Sequence, residues 1–334
     1  MKNKFNIIIP SIQLSEEILY CLKKLEDQLY KKFFVTIVLD KKNFDQSPKF
    51  KFKLNILVVG KKTMSYKRNF AAKKYNSEYL AFIDSDTYTH KNWLKNALKL
   101  IEKNRFDVIG GPSLPFPNQS FSEKISHYAK RSYFLTGYLN FRKYKAKARF
   151  CEWLESCNFL ISKKNYFLYG GMDVKKYLGE DKDFFERANK LNPNLKTYYS
   201  PKLFIYHKER NPIKLILQRF SFGTDLFNII KFNNNYKSFQ PILPLLVTLI
   251  FILLLFIKIS FSLKITLIII FTFFIQALIL IDIFKYLKNY NKIIITLIII
   301  NLSNLAFAFG SLFALLGFNK NLIRKIYLKS RNNK

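Results

Sequence analysis

Two acids stand two residues apart at the end of an apolar run, Phe82-Ile83-Asp84-Ser85-Asp86. On extended backbone this spacing turns both carboxylates to one side, where they repel unless a cation lies between them. Carboxylate oxygens with room left for water and phosphate suit Mg2+ or Mn2+. The competing account is a turn leading into a helix before Trp93. Another acid, Asp40, ends the run Ile37-Val38-Leu39. Between them, Lys67, Arg68 and Asn69 lie at the start of a helical segment from Met64 to Tyr75, and a guanidinium there matches a diphosphate through its bidentate fork. Further on, Gly170-Gly171-Met172-Asp173 and Gly179-Glu180-Asp181 precede a helical run from Lys182 to Leu191. These acids are either complements to a helix dipole or include a carboxylate positioned as a general base.

Such groups need a scaffold that brings them to one edge. Apolar strands are expected at Phe5–Ile9, Phe34–Leu39, Leu54–Val59, Tyr79–Ile83 and Phe106–Ile109. A helix opens at Ser15 with Glu16 and Glu17 in its first turn, and Ile18, Leu22, Leu25 and Leu29 share its apolar face. This alternation predicts a mostly parallel α/β sheet with ligands at the carboxyl ends of its strands.

The chain of 334 residues is 49% apolar, which excludes disorder and small disulfide scaffolds. Lys and Arg number 56 against 22 Asp and Glu, a net charge of +34. The basic residues are scattered among many Asn, Ile, Phe and Tyr instead of forming one arm, so they say little about nucleic acid and suit a domain lying on anionic lipid. Cys21, Cys151 and Cys157 form no CxxC pair, and the default compartment is a reducing one. No signal-peptide core precedes the first strand, so the N-terminal domain is expected to remain in the cytoplasm.

Taken together, the motifs resemble glycosyltransferase family 2 on the GT-A fold. The family's opening strand ending in Pro is seen as IIIPS, its strand-end Asp as IVLD, its Arg-Asn helix as YKRNFAA, its DxD motif as FIDSD and its late acidic motifs as YGGMDVKKYLGED. The order and spacing match over about the first 210 residues. The resemblance implies a nucleotide-sugar donor (UDP-, GDP- or dTDP-linked), a divalent ion, and inversion at the anomeric carbon. It places Pro10, Asp40, Arg68, Asp84 and Asp86 on the donor side, with Asp40 at the nucleobase, Arg68 at the base or diphosphate, Asp84 at the ribose or metal, and Asp86 on the metal. It makes Asp181 the catalytic base, puts Gly171, Asp173 and Glu180 on the acceptor side, and brings His207 of IYHKER near the metal or phosphates. The chain departs from the family at Ile12, where an aromatic is usual, and at Lys41, where a second Asp is usual. The QxxRW signature of processive synthases is absent, its place held by Gln218-Arg219-Phe220, which favours addition of a single sugar.

Apolar stretches at Ile242–Ile257, Ile265–Ile281 and Ile293–Phe318 are expected to form the membrane region. The chain then divides into a GT-A domain (1–210), an amphipathic interfacial helix or linker (211–239), a transmembrane region of about three segments (240–318) and a basic tail (319–334). Lys285, Lys288 and Lys292 mark the gap before the third stretch as the cytoplasmic one. Three full spans would put the basic tail outside, against the positive-inside rule, so one stretch is expected to be re-entrant or interfacial. Segment 112–150, rich in aromatics and bases, is either an insertion on the acceptor side or a variable surface region. The arrangement resembles enzymes that build lipid-linked saccharides at the inner, cytoplasmic membrane, multi-pass and with the catalytic domain in the cytoplasm, with no nucleic-acid partner. A polyprenyl-phosphate sugar synthase is the alternative on the same fold. A membrane-anchored nucleic-acid-binding protein is the alternative outside it.

Overall fold

The computed structural model describes residues 4–103, 105–176, 179–225 and 242–317. The chain forms two compact units: residues 1–116 with 141–208, and residues 117–140 with 209–334. The change of unit at 208/209 lies beside the expected boundary at 210. The division is nevertheless not sequential, because 117–140 leave the first unit and cluster with the C-terminal helices. Those residues are the greater part of the segment read as a possible acceptor-side insertion.

The first unit is α/β. Its main sheet has eight strands in the order β3 (Lys53–Val58), β2 (Phe33–Leu39), β1 (Phe5–Pro10), β4 (Tyr79–Ile83), β9 (Asn158–Ser162), β6 (Val108–Gly110), β10 (Thr197–Tyr199) and β8 (Arg149–Phe150). The run β3-β2-β1-β4 is parallel. β9 enters antiparallel between β4 and β6, a strand the sequence pattern did not indicate. β1 and β2 are buried along their whole length, as a parallel sheet covered on both faces requires. A smaller sheet joins β5 (Thr87–Thr89), β11 (Ile205–His207) and β7 (Ser113–Pro115).

Helix α1 (Glu16–Glu26) starts where Ser15 accepts a hydrogen bond from the Ile18 N–H. It ends before Leu29, which is 53% exposed instead of completing the apolar face. Helix α2 (Met64–Lys74) is capped by Thr63 and carries no strong apolar stripe, yet it buries Lys67 and Arg68 completely or nearly so. Charges sunk into the sheet from a polar helix mark the working edge. The α/β unit also contains α3 (Trp93–Ile101), and α6 (Lys163–Leu168) and α7 (Glu180–Leu191) follow later in the chain.

The second unit is helical. Helices α4 (Phe121–Arg131) and α5 (Tyr133–Thr136) come from the 117–140 segment, followed by α8 (Pro212–Gly223), α9 (Leu243–Phe256), α10 (Phe261–Phe284) and α11 (Tyr290–Leu315). Ile125, Ala129 and Leu135 share a core with Ile279, Ile283, Ile293 and Ile300. Asp282 on α10 accepts from the Ser132 hydroxyl and the Tyr133 N–H, both at 2.8 Å. Helices α8 and α11 cross closely through glycine: a Cβ on Gly223 would overlap the Phe307 carbonyl, and one on Gly310 the Phe220 carbonyl. Such small-residue crossings let backbones approach and gain dispersion contact. The expected interfacial helix is therefore packed against α11 along one face, with Ile213 left 70% exposed. Its continuation through Phe227 and Lys231, the rest of the 211–239 linker, and the basic tail lie outside the described residues.

Among the described residues two helices, α10 and α11, are long and apolar enough to cross a membrane, while α9 has only 14 residues. Of three expected segments, two thus reach span length. The second is longer than its apolar run because Phe261 to Lys264 continue the helix up to Ser260.

Candidate functional site

The carboxyl ends of β1, β2 and β4 meet the start of α2. Asp40, just after β2, receives the Lys67 ammonium at 2.8 Å and the Lys62 N–H at 3.1 Å. Lys67 also donates to the carbonyl of Ser11, the residue after Pro10. Fully buried, Lys67 fixes Asp40 and the end of β1 with one cation, a role the sequence did not single out. Pro10 itself is buried at the strand end.

The Asp84-Ser85-Asp86 segment is a turn and not extended strand, closed by the Thr87 N–H and hydroxyl on the Asp84 carbonyl at 3.3 and 2.7 Å. It does not cap the helix before Trp93, because β5 intervenes. The turn still brings the two acids together. His207 Nε2, at the end of β11, lies 3.6 Å from Asp86 Oδ1 and 4.0 Å from Asp84 Oδ2. The pairing of His207 with Thr87 in the small sheet sets that approach, and the Lys208 N–H on the Asp86 carbonyl at 3.0 Å locks it. One ligand atom from each of Asp84, Asp86 and His207 falls within 4.8 Å of the others. Two carboxylates and one imidazole, each partly exposed, form a donor set in which hard oxygen predominates, and this fits Mg2+ or Mn2+ with positions left for phosphate and water.

Arg68 joins this turn to the late acidic motif. Its guanidinium donates to Asp84 Oδ1 at 2.6 Å and Glu180 Oε1 at 3.3 Å, and the side chain is 2% exposed. Its two carboxylates hold the Arg68 proton more tightly than usual, against the opposing effect of burial. Glu180, expected on the acceptor side, is thus a partner of Arg68. Asn69 reaches the same motif by donating to the Met172 carbonyl at 2.7 Å and accepting from the Met172 N–H at 3.0 Å. Gly171 adopts φ +63°, and a Cβ there would press on the Asn69 amide, so its role is to shape this turn. Asp173 accepts from the Lys175 N–H at 2.9 Å within its own loop and is not among the groups that converge here.

Asp181 sits in the first turn of α7. Its carboxylate accepts from the Ser156 N–H at 3.2 Å and the Lys182 N–H at 2.8 Å. Burial, reinforced by the neighbouring Glu180, pushes its pKa up to about 7, against the opposing pull of Arg142. Beside it Glu155 behaves in the opposite way. Although burial opposes its charge, Lys143 and Arg142 hold it at about 2. Lys143 Nζ lies 2.8 and 2.9 Å from its two oxygens. Two nearby carboxyls with protons held so differently are a recognised mark of divided acid–base roles.

Of the residues expected from sequence, Asp84, Asp86 and His207 form one cluster, and Arg68 ties Asp84 to Glu180, the neighbour of Asp181. Asp40 stands with Lys67 at the adjacent strand end. Lys67, Arg142, Lys143 and Glu155 were missed as site residues. Lys67 had a signal in its register beside Arg68, while nothing in the spacing announces that residues 142 and 155 approach residue 181.

Residues 6–164 match the sequence profile of the family described as Glycosyl transferase family 2. A 115-residue segment is 33% identical to the poly(ribitol-phosphate) beta-N-acetylglucosaminyltransferase TarS of Staphylococcus aureus, covering 32% of this chain and 20% of the relative. The match therefore spans about a fifth of that relative's length. Among solved structures, the mannosyltransferase PcManGT from Pyrobaculum calidifontis, in complex with GDP-Man and Mn2+, aligns with a TM-score of 0.55 at 12% identity, over 96% of this chain and 89% of that one. S. aureus TarS 1-349 with UDP-GlcNAc aligns with a TM-score of 0.47 at 17% identity, over 94% and 92% of the two chains. By the profile match and by the strand order that carries its motifs, the α/β unit of this chain is a glycosyl transferase family 2 domain of the GT-A fold.

Proposed function

We propose that the chain transfers a single sugar, with inversion, from a nucleotide-sugar donor to a hydroxyl of a lipid-linked or polysaccharide acceptor at the cytoplasmic face of the membrane. The observation that carries this reading is the Arg68 bridge, which puts the Asp84–Asp86–His207 cluster and the Glu180–Asp181 turn in one site. Asp84, Asp86 and His207 would hold Mg2+ or Mn2+, which neutralises charge on the departing diphosphate. Asp40, fixed by Lys67, is placed for the nucleobase. Asp181 accepts the proton of the acceptor hydroxyl as its oxygen bonds to the anomeric carbon. The bond from that carbon to the diphosphate oxygen breaks on the opposite side, and its electron pair leaves with the nucleoside diphosphate. A base with a pKa near neutrality combines the ionised form with useful proton affinity.

Membrane attachment is read from the helical unit. In its most apolar window α10 is only 17% buried by protein, against 44% for α11, so α10 is the helix whose side chains most need lipid. Arg131 on α4 stacks at 4.6 Å on Tyr286, in the turn that bears Lys285 and Lys288 and leads into the first turn of α11 with Lys292. Positive charge thus gathers at one end of the unit, as expected for the end that faces a cytoplasmic leaflet. Two full crossings, with α9 interfacial, would return the basic tail to the side where the helices begin. The acceptor class follows from this attachment.

The test is transfer from a panel of labelled nucleotide sugars by the full chain in membranes, with Mn2+ or EDTA, beside Asp181→Asn. Transfer from one donor that EDTA stops, with Asp181→Asn slower by roughly 10²–10⁴-fold and donor binding retained, is the expected result. Full transfer in EDTA, or by Asp181→Asn, would overturn the assignment.

A further inference from the structure

The transfer chemistry above leaves one charged cluster of the α/β unit without a task. Glu155 accepts from the Ser113 hydroxyl at 3.0 Å and from Lys143, which also donates to Ser113 at 2.9 Å. The Arg142 guanidinium lies 3.9 Å from the centre of the Trp153 ring and 4.0 Å from Glu155 Oε1. The residue after Glu155, Ser156, is the one whose N–H binds Asp181. A single four-residue strap, 153–156, therefore carries the ring under the guanidinium, its counter-ion, and a hydrogen bond to the carboxylate of Asp181. A planar guanidinium stacks on a ring face while its edge meets a carboxylate, whereas an ammonium would keep the charge without the stack.

The charges around Asp181 show what this strap achieves. Glu180 on its own turn and Glu155 across the strap are both negative, and burial keeps the Cys157 thiol neutral. The backbone N–H of Lys182 stabilises the carboxylate locally. Of the cations within range, Arg68 is already divided between Asp84 and Glu180, whereas Arg142 is the strongest influence favouring the ionised form of Asp181.

We propose that Arg142 is a positioning residue of the transfer reaction: held between the Trp153 ring and Glu155, it supplies the positive charge that keeps the Asp181 carboxylate ionised and in place for the acceptor proton. This rests on the reading of Asp181 as the base. Without Arg142, Asp181 faces Glu180, paired with a shared Arg68, and Glu155, paired with Lys143, with backbone donors as its own remaining support, and it stays protonated to higher pH.

The experiment compares wild type, Arg142→Gln and Arg142→Lys in the full chain by two measurements. One is the pH profile of kcat with a donor that wild type turns over. The other is infrared titration of the Asp181 carboxyl, identified as the band lost in Asp181→Asn. Arg142→Gln should move the acidic limb and the infrared midpoint upward by about one pH unit or more, with KM for donor unchanged. A shift of one unit from about 7 costs about fivefold in turnover at pH 7, and turnover recovers at alkaline pH. Arg142→Lys, which keeps charge but loses the stack, should restore most of the shift. If Arg142→Gln does not fold, Arg142→Lys decides alone, because a role in packing only would lower its kcat equally at every pH. An unmoved midpoint, or Lys behaving like Gln, would overturn the proposal. Should wild type turn over no nucleotide sugar, the transfer reading fails, and the infrared titration still reports whether Arg142 controls Asp181.

Discussion

Buried polar groups serve different ends in the two units. In the α/β unit they form chains of opposite charge at one end of the sheet: Lys67 with Asp40, Arg68 with Asp84 and Glu180, Lys143 and Arg142 with Glu155. Each chain ends on a partly exposed carboxylate or imidazole with capacity left for a ligand. In the helical unit the polar contacts close on themselves. Gln276 and Asn301 exchange amide hydrogen bonds at 3.0 and 2.8 Å between α10 and α11, and Asp282 caps the start of α5. Charge left open is where chemistry is expected, and paired amides or a capped helix start are a joint. A substitution should therefore impair activity without unfolding in the first unit, and assembly without altering chemistry in the second.

The sharpest test of that contrast is Asp86→Ala. It removes one of three clustered ligand groups from a partly exposed turn, so it should abolish divalent-dependent transfer and weaken Mn2+ binding measured by electron paramagnetic resonance. Its unfolding transition should stay near that of wild type, since Asp86 lies in a partly exposed turn between β4 and β5 and is not part of the hydrophobic core. Retained Mn2+ affinity would remove the distinction at its strongest point.

Glu155 marks the limit of the same contrast within the α/β unit, because two cations, Lys143 and Arg142, hold one carboxylate and make its charge part of the fold. Its folded pKa of about 2 lies below the ordinary value of 4.5, so its stabilising effect is complete above pH 4.5 and is lost as pH falls through 2. Glu155→Gln should lower stability at pH 7 by on the order of 3 kcal/mol, with the gap closing below pH 4.5. Tryptophan fluorescence during unfolding reads it, Trp153 being close by. A gap independent of pH would show packing, not charge, at work.

The smallest expected effect belongs to the helical joint. Gly310→Leu forces the α8–α11 crossing apart and should cost about 1–3 kcal/mol of that unit's stability. Nucleotide binding should be unchanged. Loss of nucleotide affinity with the helices intact would break the contrast.

The residues legible in the sequence are those whose meaning is local. Asp40, Asp84 and Asp86 follow short apolar runs, and strand ends on such sheets face ligands whatever the rest of the chain does. His207 could be placed only by resemblance, because its approach to Asp86 depends on the pairing of β11 with β5, where His207 meets Thr87, a strand far earlier in the chain. The antiparallel β9 was hidden for a related reason: an apolar run of five residues gives no direction. Arg142 and Glu155 were the least legible, since a solvated base and acid in a variable stretch look the same as a buried pair. The 117–140 segment shows its helix start through the capping box of Ser120 and Glu123, but its apolar face does not say which helices will cover it.

That segment also sets a schedule. Ser132 meets Asp282 across 150 residues of chain. At the usual pace of about 5–20 residues per second, Ile125, Ala129 and Leu135 leave the ribosome roughly 8 to 30 seconds before their partners on α10 exist. During that interval the α/β sheet can close around an excursion whose own packing is still to come. A nascent chain stalled before Asp282 would carry an exposed apolar helix in the middle of an otherwise finished domain, and that helix is the place where a chaperone or the membrane surface would first take hold.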